Sequence, residues 1–213
     1  MSFHRNSSFH PAEQWHAQPL SALPTPTVVI DRAVFTDNSA RMLEAARKFG
    51  MEFRIHIKTH KTSEGTRIQL DPFGQGDGAG KDGQGNDKRL RATRLIISTV
   101  EEGWMLVKSR VLKDYGVKSV RFDASKRECL INLSSSHQVL HSMPPGPNTL
   151  QRLDLLRAAM EKEQCTLLLM VDHPAQIDAI EKLPKQEDSP WHAFLKVDAG
   201  YQCVISLACL LHH

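Results

Sequence analysis

From Thr27 onward, short β-rich runs alternate with stretches whose apolar residues recur every three or four positions. Residues 27–30 (TVVI) predict a strand, and Asp31 behind them is of the type that caps a helix. Phe35, Met42, Leu43, Ala46 and Phe49 then share one helical face, with Gly50 as the stop. Over residues 52–58 (EFRIHIK) the alternation is strict: Phe53, Ile55 and Ile57 face one way, Arg54, His56 and Lys58 the other. The same reasoning predicts a helix at 63–70, a strand at 94–98, and a helix at 100–114 with Trp104, Val107 and Val111 on its apolar face. Short strands follow at 118–122 and 138–141, then a helix at 150–162 that uses Leu153, Leu156 and Met160. Residues 166–171 (TLLLMV) form the most apolar strand. His173 and Pro174 open a helix with proline in its favoured first position and an apolar face of Ile177, Ile180 and Leu183. A last strand is predicted at 192–197.

Strands alternating with helices predict an α/β fold with a parallel sheet and crossover helices. A closed (β/α)8 barrel takes about 250 residues and eight units, whereas the 213 residues here supply five or six. The fold expected is therefore the N-terminal part of a (β/α)8 TIM-type barrel, incomplete, over residues 24–201, behind a disordered lead-in at 1–23. Two stretches break the pattern. Residues 71–89 hold six of the twelve glycines and almost no apolar residue, which predicts a flexible insert over 71–92. Residues 123–136 follow neither period, and residues 202–213 read as an aberrant apolar tail without a turn signal.

Composition narrows the function classes. A net charge of +3 gives no reason to expect nucleic acid or an anionic membrane as partner. No run reaches the roughly 20 apolar residues of a membrane span, and the N-terminus has no apolar core of a secretory signal. The cysteines at 129, 165, 203 and 209 form no CxxC pair, which fits a reducing cytoplasm. Gly78-x-Gly80-x-x-Gly83 lacks both the strand before it and the helix after it that a dinucleotide site requires. His56 and His60 have no Cys or carboxylate at ligand spacing, so no zinc site is expected within the chain.

The segment with chemistry in it is residues 54–61, RIHIKTHK. On a barrel strand Arg54, His56 and Lys58 point inward, with Lys58 at the C-terminal rim where such folds place their reactions. An amine held there beside Arg54 and Lys61 has reason to lose its proton and act as a nucleophile toward a carbonyl cofactor.

Residues 54–62, RIHIKTHKT, resemble the R-x-H-x-K-T-H-K signature of the D-serine dehydratase/D-threonine aldolase family. TPTVVID with Asn38, Arg41 and Met42, then EGTRIQL, IISTVEEGWML, MPPGPN with Leu153, and FLKVDAG are similar to further family segments. The resemblance implies an alanine racemase-like N-terminal barrel and pyridoxal 5'-phosphate bound to Lys58 as an aldimine. Arg54 and His56 would lie beneath the cofactor; His60 and Lys61 complete the motif without an assigned role. The implied reaction takes a small D-amino acid, D-serine, to pyruvate and ammonia. The alternatives are a D-threonine aldolase-type C–C lyase or a non-catalytic fragment that binds pyridoxal phosphate. Pairing as a homodimer is implied as well. The family continues with an Arg where Cys203 stands, and carries zinc on a C-terminal domain whose ligands have no counterpart here. By resemblance the chain is truncated, and impaired activity is expected.

Overall fold

A computed structural model describes residues 15–51, 53–72, 92, 94–115, 137–183 and 190–197. The chain divides into two compact units, Met1–Arg32 and Ala33–His213. In the first, Leu20–Ala22 forms a single 3-10 turn, and the Thr27 hydroxyl donates to the Pro24 carbonyl. The strand predicted at 27–30 does not form: these residues are in no ladder, and Val28 is 90% exposed. An apolar run has strand propensity, but it becomes a strand only where a neighbour supplies hydrogen bonds and a surface to cover.

The second unit runs through α1 (Arg32–Lys48, entered at its second residue), β1 (Arg54–His56), α2 (Ser63–Leu70), β2 (Arg94–Ile97) and α3 (Val100–Lys108). It continues with α4 (Val111–Tyr115), β3 (His137–His141), α5 (Pro147–Lys162), β4 (Cys165–Val171), α6 (Pro174–Glu181) and β5 (His192–Leu195). The five strands pair in sequence order, β1-β2-β3-β4-β5, and every pair is parallel. A doubly wound sheet reverses its order at a switch point. This one does not, which is consistent with part of a (β/α) barrel wall.

Pleating sorts the strand residues onto two faces. Ile55, Ile57, Leu95, Ile97, Val139, Leu167 and Leu169 point toward the helices and join one buried cluster with Leu106, Leu150, Leu153, Leu156 and Met160. The opposite face carries Arg54 and His56 on β1 and Arg94 beside Arg54 on β2, with Gln138 next to Arg94 on β3. The predicted α5 face of Leu153, Leu156 and Met160 is fully buried. Pro174 begins α6 as expected, while Ile177 on its predicted apolar face is exposed.

The helix predicted at 100–114 is two helices. Arg110, at φ +60°, takes the left-handed conformation between α3 and α4 and turns the chain. The deepest face of α3 is Val100, Gly103 and Leu106, while Trp104 and Val107 are only partly buried. Gly103 explains the shift: a Cβ there would lie 2.4 Å from Leu156 Cδ2 on α5, so only glycine lets the two helices approach this closely. The predicted strand at 118–122, most of the insert at 71–92, the stretch 123–136 and residues 198–213 lie outside the described residues. Among the described residues no helix is long and apolar enough to cross a membrane.

Candidate functional site

β1 ends at His56, yet its alignment carries one residue further, because the Ile57 amide donates to the Ile96 carbonyl at 3.2 Å. The chain then turns sharply: the Lys61 amide donates back to the Ile57 carbonyl at 2.9 Å, with Lys61 itself at φ +51°. Thr62 starts α2 by accepting the Gly65 amide on its hydroxyl at 3.1 Å. Lys58 therefore sits in the connection leaving the C-terminal end of β1, and its side chain is exposed. Gly65 packs under this turn, where a Cβ would stand 2.6 Å from His60 Nδ1. His60 contacts Gln69 through Nε2 at 2.9 Å and meets the Phe35 ring edge-on.

His56 has its proton placed by its neighbours. Its Nδ1 accepts the Lys58 amide at 3.3 Å, which leaves the proton on Nε2, 3.4 Å from the Ser98 hydroxyl at the end of β2. Burial, and then the nearby Lys58 charge, push its pKa below the usual histidine value, with Glu102 opposing. His56 is thus a neutral imidazole presenting an Nε2–H. Arg54 donates one Nη2 bond to Gln138 and lies over the Phe194 ring at 5.2 Å. Its other terminal nitrogen, Nη1, is buried and has no acceptor among the described residues.

Three residues of this region were not reached by sequence reasoning. Glu102, in the first turn of α3 and 3% exposed, accepts the Ser98 amide at 2.8 Å and pairs with Lys61 at 3.2 Å. Gln138 anchors Arg54 across two strands. His141, paired in register with Ile97, is buried, its Nδ1 has no hydrogen-bond partner among the described residues, and burial lowers its pKa. The spacing Thr99-x-x-Glu102 is the one available signal, since Thr99 caps α3 by accepting the Glu102 amide at 3.2 Å. The structure also changes the picture around Lys58: Lys61, expected to press on the amine, is neutralised by Glu102.

Whether these groups suit pyridoxal phosphate rests on their chemistry. An anionic aldehyde needs an amine to bind its carbonyl and donors without competing acceptors. Lys58 and the Arg54 Nη1, which has no acceptor among the described residues, are such groups, and the His56 Nε2–H is a further donor that the Ser98 hydroxyl shares; all come from one strand and the turn after it.

Fold and site together describe an α/β protein with an exposed lysine just beyond the C-terminal end of a parallel strand that carries Arg54 and His56 on one face. No family model matches the chain. It is similar to a D-serine dehydratase of Schizosaccharomyces pombe, 29% identical over 191 residues, covering 88% of this chain and 36% of the relative. A D-serine dehydratase of Dictyostelium discoideum is 26% identical over 187 residues, 85% of this chain and 36% of that protein. One from Saccharomyces cerevisiae is 35% identical over 102 residues, 44% of this chain and 21% of its own length. The chain spans about a third of the length of the Schizosaccharomyces pombe and Dictyostelium discoideum relatives.

Proposed function

We propose that this chain contains the cofactor-lysine segment of a D-serine dehydratase-like lyase, with Lys58 as the residue that binds pyridoxal phosphate. One observation carries the reading: Lys58 follows the C-terminal end of β1, with Arg54 and His56 on one face of the strand behind it. Pyridoxal phosphate supplies an aldehyde for amines and an electron-withdrawing ring that stabilises negative charge at a substrate Cα. The chain supplies the rest. Lys58 provides the amine and a base for a proton. Arg54 offers an Nη1 donor that has no acceptor among the described residues, and His56 offers a neutral Nε2–H to an oxygen of the ligand. The Gln138 bond and the Phe194 face hold the Arg54 guanidinium in place.

The 213-residue chain is expected to bind the cofactor and to turn over slowly at most. Lys58 is exposed among the described residues, and removing a carbon-bound proton calls for a site that excludes water. The test is a comparison of enantiomers. After loading with pyridoxal phosphate, D-serine should change the cofactor's absorbance while L-serine should not, and Lys58→Ala should show neither response. Pyruvate should appear slowly at most. Equal responses to both enantiomers, or a response that persists in Lys58→Ala, would refute the assignment.

A further inference from the structure

We propose that Glu102 is a positioning residue for Lys58, acting through Lys61; the inference rests on the reading of Lys58 given above. Two elements meet at this carboxylate. Its Oε2 accepts the amide of Ser98, the first residue beyond β2, at 2.8 Å. Its Oε1 pairs with Lys61, the last residue of the turn that carries Lys58, at 3.2 Å. Glu102 is 3% exposed, whereas the Lys61 side chain is 55% exposed, so the cation reaches down from solvent to a buried anion.

A buried carboxylate is costly unless its charge is compensated. Here the N-terminal end of α3 and Lys61 provide the compensation. The consequence falls on the turn. Lys61 takes φ +51°, a conformation few side-chain-bearing residues adopt, and its amide closes the turn onto Ile57. With both the backbone and the side chain of Lys61 tied down, the three residues from Lys58 to His60 are held between β1 and a fixed end. Lys58 makes no ion pair with a carboxylate among the described residues, so the aim of its amine depends on that turn. A nucleophile held in one place loses less conformational freedom when its target arrives.

The experiment pairs amide hydrogen exchange with borohydride trapping of pyridoxal phosphate, both on the full chain. Lys61→Met and Glu102→Gln each remove the ion pair, and the glutamine keeps an acceptor for Ser98. In both, exchange at residues 57–61 should rise about tenfold with β3 and β4 unchanged, and the share of trapped adduct on Lys58 relative to other lysines should fall. Lys61→Arg should restore both readouts. If Glu102→Gln loosens the whole sheet, Lys61→Met decides alone, because Lys61 lies at the surface. Wild-type exchange at 57–61 in Lys61→Met would overturn the proposal. Should wild-type protein fail to trap the cofactor on Lys58, the functional reading falls, while the exchange data still decide whether the clamp exists.

Discussion

The two faces of the sheet are made from the same strands and obey different rules. Toward the helices β1 and β2 present Ile55, Ile57, Leu95 and Ile97, all at most 2% exposed, packed on leucines of α3 and α5. One residue away along the same backbone stand Arg54, His56 and Arg94. The helix-facing side is largely apolar, with the buried His141 set in register beside Ile97 and Leu169. The other side mixes Ile96, Leu140 and Leu168 with specific polar contacts: Arg54 is bound to Gln138 two strands away, and His56 is set between the Lys58 amide and Ser98. A slip of one residue would exchange the two sets, so apolar packing on one face fixes the register of the chemistry on the other.

The comparison predicts that damage to each face reads out differently. The largest stability effect belongs to the helix side. Leu156→Ala, at a position fully buried against Gly103 of α3, should cost about 2–5 kcal/mol by denaturant unfolding. Trapping of pyridoxal phosphate on Lys58, counted per folded molecule, should be unchanged. Gly65→Ala inverts the pattern. Its new Cβ would stand 2.6 Å from His60 Nδ1, and the ring can swing away from Gln69 at a cost of about 1 kcal/mol, the low end for overpacking. The turn it supports carries Lys58, so trapping should drop several-fold, as measured by peptide mapping.

The smallest effect is on pH. Burial holds His141 below its ordinary pKa of 6.5, so the unfolded chain takes up a proton there before the folded one does. Stability should therefore fall as pH drops below about 6.5, and level off once the folded protein is protonated too. Thermal unfolding at about pH 7.5 and 5.5 should show this loss, and His141→Phe should shrink it. An unchanged pH response in that variant would assign the effect to other groups.

Much of this was legible in the sequence, for a local reason. α5, β2 and β4 bury the residues their apolar pattern selects, since such a pattern is a direct image of the buried face. The failures are non-local. Residues 27–30 have strand composition but no strand partner. The rotation of α3 onto Gly103 comes from its close approach to Leu156 of α5, more than fifty residues on. For the site, Arg54, His56 and Lys58 could be seen because they alternate in the sequence, although β1 ends at His56 and Lys58 lies in the turn beyond it. Glu102, Gln138 and His141 could not: register sets Gln138 beside Arg94 and His141 beside Ile97, and Glu102 comes in on the helix that follows β2.

The central claim is that Lys58 is the lysine this fold sets apart. Purified chain is mixed with pyridoxal phosphate, reduced with borohydride, digested and mapped by mass spectrometry. The account predicts one dominant pyridoxyl adduct, on Lys58, that disappears in Lys58→Ala without moving to Lys61. Adducts scattered over the surface lysines, or an equal yield in Lys58→Ala, would contradict it.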